Sequence, residues 1–207
     1  MPLTSPIVVW DVDDVLNDLT LEWLRSERPE DIDLYESLLD PLLHLGLGLN
    51  ERDYLASLDH FRMHGGFEAM EPRADVLVWF REHGDRARHI ALTSTPLRTA
   101  PVSATWVMRH FCRWIRTFHV VPSRRPEDDS PALDPDKEHA LRFLGLGSVM
   151  IDDRQDNLDG ARQAGLQVIR FPRPWNGGGS PLAALDQLTD MICGASSTTV
   201  LPEKDAV

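Results

Sequence analysis

Five short runs of β-branched and other apolar residues are spaced along the chain, each separated from the next by a segment with helical periodicity. The runs cover residues 7–10, 89–95, 117–121, 149–151 and 167–171. Apolar runs of this length predict strands buried on both faces, as in a parallel sheet. Their alternation with helical segments predicts an α/β fold, a doubly wound parallel sheet.

Five segments, one before the second strand and one after each of the second to fifth strands, predict helices, because apolar positions recur every three or four residues. These helices cover residues 71–83, 99–113, 134–144, 156–164 and 181–193. Two other segments are rich in Pro, Gly, Ser, Asp and Arg, which is typical of loops. They span residues 122–135 and 172–180.

Residues 18–70 lack strand signals and show three helical patterns, over residues 19–24, 35–42 and 54–61. We interpret them as a small helical cap inserted after the first strand. The domain assignment is then a core of residues 1–17 and 71–193, a cap of residues 18–70, and a disordered tail of residues 194–207.

The charge balance limits the possible partners. The chain has 33 acidic and 21 basic side chains and a net charge of -12. This argues against binding a nucleic-acid polymer, which requires clustered Lys and Arg, but leaves a small phosphorylated metabolite as a partner. No charged leader with an apolar segment and no run of about 20 apolar residues is visible. We therefore expect a cytoplasmic protein with no membrane partner, as a monomer or homodimer.

Carboxylates stand where two of the predicted strands end. Asp11, Asp13 and Asp14 follow the first strand, and Asp152 and Asp153 follow the fourth. The carboxyl ends of parallel strands are where open α/β sheets bind ligands. Two acids held together there repel each other unless a cation or a shared proton intervenes, and the natural cation is Mg²⁺, which prefers oxygen ligands. The alternative is a plain acidic turn.

Two further features add candidate chemistry at the same edge. Thr93 and Ser94 end the second strand, where they either cap the next helix or contact phosphate oxygens. The chain has two lysines, Lys137 and Lys204, and the second lies in the predicted tail. Lys137 is therefore the candidate for any chemistry that needs an amine.

Two loops offer candidate substrate contacts. Arg62 and His64 belong to a segment, 60–67, that is either a substrate-facing loop or an exposed helix end stopped by glycine. Its two histidines, four residues apart, have no third metal ligand nearby. Trp175 and Asn176 lie in the glycine-rich loop after the fifth strand, which is either a connector or a substrate contact.

Taken in order, these motifs resemble those of the haloacid dehalogenase (HAD) superfamily of phosphohydrolases over nearly the whole chain. Within it, the sequence is most similar to the 5'(3')-deoxyribonucleotidase group. The stretches that carry this likeness are residues 11–18, 66–72, 92–94, 106–111 and 151–154. The resemblance implies a HAD-like, Rossmannoid core, a helical cap between the first two motifs, and a nucleoside 5'-monophosphate or similar substrate.

The resemblance also implies catalytic roles. Asp11 would be the nucleophile that forms an aspartyl-phosphate, and Asp13 the general acid and base. Thr93, assisted by Ser94, would bind a phosphoryl oxygen. Lys137 would hold nucleophile and phosphate together through its charge.

Some of these assignments have rivals. Arg124 and Arg125 are alternatives to Lys137 as the cation that holds the nucleophile and the phosphate together. Asp14 stands where many relatives have glycine, so it makes the turn less permissive and adds a charge without an evident purpose.

The metal site follows from the same resemblance. The carboxylates of Asp11 and Asp153 and the backbone carbonyl of Asp13 would bind Mg²⁺. Asp152 and Asn157 would not bind the ion themselves but would orient the residues that do.

The sequence thus predicts a Mg²⁺-dependent phosphomonoester hydrolase of nucleotide metabolism, similar to 5'-nucleotidases. A C–P bond hydrolase would need a lysine in the cap, and residues 18–70 contain none. A phosphoryl-transferring mutase and a non-catalytic phosphate-binding protein on the same scaffold remain alternatives.

Overall fold

The computed structural model describes residues 5–40, 42–125, 128, 131 and 133–194. Its strands form one parallel sheet in the order β3-β2-β1-β4-β5. The strands are β1 (Ile7–Trp10), β2 (Arg88–Thr95), β3 (Ile115–Pro122), β4 (Val149–Asp152) and β5 (Gln167–Arg170). Because β1 lies between β2 and β4, the residues that follow these three strands meet at one edge of the sheet.

Helices cover both faces of the sheet, which confirms the predicted α/β fold and doubly wound parallel sheet. The described α-helices are α1 (Leu19–Glu27), α2 (Leu43–Gly46), α3 (Glu51–Met63), α4 (Gly66–Ala69), α5 (Ala74–His83), α6 (Ala100–Phe111), α7 (Lys137–Leu144), α8 (Gln155–Gln163) and α9 (Pro181–Gly194). Short 3₁₀ helices span Pro29–Ser37, Gly84–Arg86 and Pro174–Asn176.

Strand β1 is buried on both faces, as its apolar sequence predicts. Trp10 packs on one face against Trp79 and Phe80 of α5, with ring centroids 5.3 and 4.7 Å away. Val9 points to the other face, into a smaller cluster that includes Leu141 of α7. This packing on both sides fixes where β1 ends, and so where the carboxylates begin.

Residues between β1 and α5 form the inserted helices α1 to α4. The prediction of a helix over residues 35–42 is wrong. A 3₁₀ helix covers Pro29–Ser37, residues 38–40 are not helical, and the short α2 starts at Leu43. Pro41 in the sequence disfavours helical geometry at Asp40, which explains the break.

Helix α9 is the longest of the described helices, at 14 residues, and buries Leu185 and Leu188. It ends at Gly194, and the rest of the predicted tail, residues 195–207, lies outside the described residues. Among the described helices, none combines the length and the apolar composition that a membrane crossing requires.

Buried His89 should make stability depend on pH. Its Nδ1 accepts a hydrogen bond from Trp10 Nε1 (3.0 Å), and its Nε2 lies 2.8 Å from the carbonyl of Gly84, which fits a neutral ring. Burial lowers the pKa of His89 to about 4 from 6.5. Between these values the unfolded chain binds one more proton, so lowering the pH from 6.5 to 4 should cost about 3 kcal/mol of unfolding free energy.

Urea denaturation across this pH range would check the His89 contribution, with His89→Gln as the reference. Other titrating groups act in both proteins, so the difference between the two curves isolates the histidine. We expect the wild type to lose stability relative to the variant as the pH falls. Parallel curves would contradict the assignment.

Candidate active site

A cavity of about 690 Å³ opens over the carboxyl ends of the central strands, with the inserted helices on its other side. Core residues in its lining include Asp11, Asp13, Ser94, Lys137 and Asp153, and those from the inserted helices include Thr20, Leu43, Tyr54 and Arg62. The structure therefore brings residues from four predicted motifs to one place.

Lys137 joins the first and last motifs. Its Nζ lies 2.8 Å from Asp11 Oδ1 and donates to Asp152 Oδ2 at 2.7 Å, and the side chain is only 1% exposed. Lys137 is the first residue of α7, whose start is fixed by Asp136, which accepts a hydrogen bond from the backbone N–H of His139. The N-cap hydrogen bond of Asp136 thus fixes the start of α7 so that the Lys137 side chain extends toward the end of β1.

The two acids after β4 have different partners. Besides Lys137, Asp152 accepts hydrogen bonds from Asn157 Nδ2 to both oxygens (3.1 Å) and from the backbone N–H of Arg154 (2.8 Å). Asp153 lines the cavity, and its carboxylate accepts one described hydrogen bond, from Trp175 Nε1 at 2.7 Å. Asp152 is therefore held in place by the protein, while Asp153 has coordination capacity left for a ligand.

Asp11, Asp152 and Asp153 form a buried carboxylate cluster, with one oxygen of each within 4.8 Å of the others. Burial and the neighbouring carboxylates raise the pKa of Asp11 well above its ordinary value and that of Asp153 to about 7. Burial lowers the pKa of Lys137, but Asp11 and Asp152 outweigh it and raise the pKa. One ammonium does not balance three carboxylates, so this donor set suits a hard divalent cation.

Asp13 is held by a residue of the inserted helices. Arg62, in α3, donates from Nη2 to Asp13 Oδ2 and from Nη1 to Thr95 Oγ1 (3.2 Å). Asp13 Oδ1 is buried and has no hydrogen-bond partner among the described residues. This oxygen is therefore available to exchange a proton with a molecule in the cavity.

Asp14 has a structural function that the sequence did not reveal. Its φ is +60°, a left-handed conformation that Asp tolerates better than most residues. Its carboxylate accepts hydrogen bonds from the N–H (3.0 Å) and hydroxyl (2.6 Å) of Thr20. Arg173 donates to its backbone carbonyl. The extra charge thus anchors the loop after β1 to the first inserted helix.

The two arginines considered as rivals of Lys137 lie in different surroundings. Arg125 is committed to Asp59 of α3, with Nε and Nη2 donating to the two carboxylate oxygens at 2.7 and 2.8 Å. Arg124 lines the cavity, but Lys137 is the cation that contacts Asp11. Arg98 also donates to Asp59, so these pairs join α3 to the core.

At the end of β2 the two hydroxyl residues point to opposite sides. Ser94 is exposed and lines the cavity. Thr93 is buried and lies outside the cavity lining, with its hydroxyl lacking a partner within the described part of the chain. The alternation of side chains along a strand accounts for the difference, and of these two residues Ser94 is the one in the described cavity lining.

Three residues predicted to touch the substrate have other contacts. His64 is exposed at the end of α3, stacked on His60 at 4.0 Å and outside the cavity lining. Asn176 Nδ2 donates to the carbonyls of Asp153 (2.8 Å) and Phe171 (2.9 Å). Trp175 forms part of the cavity wall, but its N–H is bonded to Asp153. Trp175 and Asn176 therefore position Asp153.

Sequence reasoning missed Arg173, Asp59 and the cavity position of Tyr54. Arg173 donates to the carbonyls of Asp14 and Asn17 and to Asp18, more than 150 residues earlier in the chain. Hydrogen bonds between residues so far apart in the chain leave no pattern in the local sequence. Tyr54 was assigned only to a helical pattern, although an aromatic ring in a predicted cap was a usable hint.

Comparison with solved structures supports the same fold. A haloacid dehalogenase-like hydrolase from Streptococcus pneumoniae aligns over 89% of this chain and 90% of its own, at 13% identity and a TM-score of 0.56. A haloacid dehalogenase-like hydrolase from Xanthomonas campestris aligns over 92% and 97%, also at 13% identity and 0.56. The chain thus has the HAD-like fold of these proteins.

A putative β-phosphoglucomutase from Thermotoga maritima aligns over 89% of this chain and 99% of its own, at 19% identity and a TM-score of 0.52. No family model matches the sequence, and no curated protein matches it. At these identities the likeness defines the fold, and the deoxyribonucleotidase resemblance stays a prediction.

Proposed function

We propose that this protein is a Mg²⁺-dependent phosphomonoester hydrolase that works through an aspartyl-phosphate. The observation that carries the proposal is the position of Asp11. It lies at the end of β1 on the cavity floor, between the ammonium of Lys137 and the carboxylate of Asp153, with Asp13 two residues on. A carboxylate placed in this way can act as a nucleophile toward phosphorus.

The reaction requires two displacements. A carboxylate oxygen of Asp11 attacks phosphorus, the P–O bond to the leaving group breaks, and Asp13 gives its proton to the leaving alkoxide. Asp13 then takes a proton from a water molecule that attacks the phosphorus of the aspartyl-phosphate, which regenerates Asp11 and releases orthophosphate. The unpartnered Oδ1 of Asp13 is suited to both proton transfers.

Charge compensation supports this chemistry. Lys137 shields the charge of Asp11 from the incoming phosphate, and the Ser94 hydroxyl is placed to donate to a phosphoryl oxygen. Asp11, Asp153 and the backbone carbonyl of Asp13 would hold Mg²⁺. The bound ion would neutralise charge on the transferring phosphoryl group.

For the substrate we propose a small phosphorylated metabolite, of which nucleoside 5'-monophosphates are the first class to test. The cavity is larger than a phosphate requires, and Leu43 and Tyr54 give it an apolar and aromatic wall opposite the carboxylates. Solved structures of this fold include a putative phosphatase and a putative phosphoglycolate phosphatase, which favours phosphoryl transfer.

The test is a panel of metabolite phosphates with released orthophosphate as the readout, with and without EDTA. We expect Mg²⁺-supported release from at least one small monoester and a loss of about 100-fold or more in EDTA, because the carboxylate cluster is then left with one cation. Excess Mg²⁺ should restore the rate. Equal rates in both arms would refute the metal requirement, and turnover only with a bisphosphate activator would indicate a mutase.

A further inference from the structure

A side pocket of about 200 Å³ adjoins the catalytic cavity, between helices α2 and α3 and the loops that follow β2, β3 and β4. The two spaces share the lining residues Leu43, Tyr54, Arg62, Ser94, Ser123 and Arg154. A substrate with its phosphate at Asp11 can therefore extend its other end into the side pocket.

The side pocket has the opposite charge character from the catalytic cavity. Arg62, Arg125 and Arg154 line it, and Glu51 is the one acidic residue among its described lining residues. The molecule as a whole is acidic, with a net charge of -12. Guanidinium groups donate hydrogen bonds to carboxylates and phosphates, so this lining suits an anionic ligand.

Each of these arginines has an acidic partner, and Arg62 donates to Asp13 as described above. Arg125 is held by Asp59, which is buried and does not line the pocket. Arg154 pairs through Nε and Nη2 with Asp156. Its Nη1 makes no hydrogen bond to any residue in the described part of the chain.

The ion pair between Arg154 and Asp156 is also weak enough for a bound anion to replace it. The side chains of Arg154 and Asp156 are 40% and 66% exposed, so solvent screens their attraction. Arg154 therefore has a donor to offer to a second anion, in a pocket that Arg62 also lines.

The remaining lining indicates the kind of ligand. Leu55, Leu58 and Pro96 add apolar surface, and Ser94 and Ser123 add hydroxyls. This surface suits a short carbon skeleton that ends in a negatively charged group.

Building on the proposed hydrolase function, we propose that the substrate carries a second anionic group, a carboxylate or phosphate, which Arg154 binds in the side pocket. The enzyme would then discriminate in favour of phosphomonoesters with a negative charge at both ends. Arg154 is a specificity-determining residue in this proposal, and the reacting phosphate does not depend on it.

Matched substrate pairs test the proposal. Glycerate 3-phosphate and glycerol 3-phosphate differ by a carboxylate, and adenosine 3',5'-bisphosphate and adenosine 5'-monophosphate differ by a phosphate. We expect kcat/KM to be at least tenfold higher for the doubly anionic member of one pair, and which pair responds identifies the anion. Equal kcat/KM within both pairs would overturn the proposal.

Arg154→Gln should reduce this preference about tenfold, mainly through KM for the doubly anionic substrate, with little change for the partner substrate that lacks the second anionic group. Arg162→Gln is the matched control, because Arg162 is an exposed residue of α8, the helix that follows Arg154, and it pairs with Asp159 at 2.6 Å. It should keep the wild-type preference. A loss in Arg154→Gln that is equal for both members of a pair would count against an anion subsite.

A binding measurement separates this inference from the proposed function. Calorimetric titration of Asp11→Asn with both members of each pair reports affinity without turnover. A preference for the doubly anionic member, with no orthophosphate released by the wild type, would refute the hydrolase and keep the anion site. Hydrolysis without any preference in rate or affinity would refute the anion site alone.

Discussion

Asp11→Asn should reduce kcat by about 10⁴-fold or more while leaving the protein folded. The amide is a poor nucleophile and a poor metal ligand, so both the covalent step and the binding of Mg²⁺ lose their central group. The side-chain oxygen of Asn can still accept a hydrogen bond from Lys137, which in the wild type lies 2.8 Å from Asp11 Oδ1. Orthophosphate release on the best substrate of the panel measures the effect.

Asp159→Asn is the control for this variant, since it also removes one carboxylate, from an exposed position on α8. It should retain wild-type kcat. Substantial turnover by Asp11→Asn, with circular dichroism and the thermal midpoint unchanged, would show that another group is the nucleophile.

Lys137→Met should lower the free energy of unfolding by about 3–5 kcal/mol and also abolish turnover. The lysine is 1% exposed and contacts Asp11 and Asp152, so its removal leaves buried carboxylates without their compensating charge. Met fills nearly the same volume, so the loss reports charge more than packing. Urea denaturation in EDTA measures it.

A double-mutant cycle with Asp152→Asn separates charge from shape. Asp152 contributes part of the charge that Lys137 balances, so the double variant should be less destabilised than the sum of the single variants, by about 1–3 kcal/mol. Additive effects would mean that Lys137 does not stabilise the protein through its ion pair with Asp152. Activity should stay absent in every variant that lacks the lysine.

Much of the fold could be predicted because its signals are local. The run Ile7–Trp10 is apolar at every position since β1 is buried on both faces, and this pattern is visible without coordinates. Apolar periodicity alone predicts a helix over residues 35–42, and this prediction is wrong. Leucines at helical spacing outweighed a proline whose effect on the preceding residue decides the local backbone.

Some residues of the candidate site could likewise be predicted from the sequence, and others could not. Asp11, Lys137 and Asp153 could be proposed from their positions at the ends of predicted elements, and the structure places them around one cavity. The contacts of Trp175 and Asn176 could not be inferred. Whether a loop residue faces the cavity or supports a neighbouring carboxylate depends on side-chain direction, and composition does not encode it.

The sequence alone determined the alternation of strands and helices, the places where apolar strands give way to carboxylates, and the scarcity of lysine that singles out Lys137. Only the tertiary structure decided that Arg62 holds Asp13 from across the cavity, that Asp59 binds Arg125, and that arginines cluster in a side pocket. Periodicity and strand ends are properties of neighbouring residues, whereas these pairs join residues 49 and 66 positions apart. Their formation depends on how the inserted helices pack on the sheet.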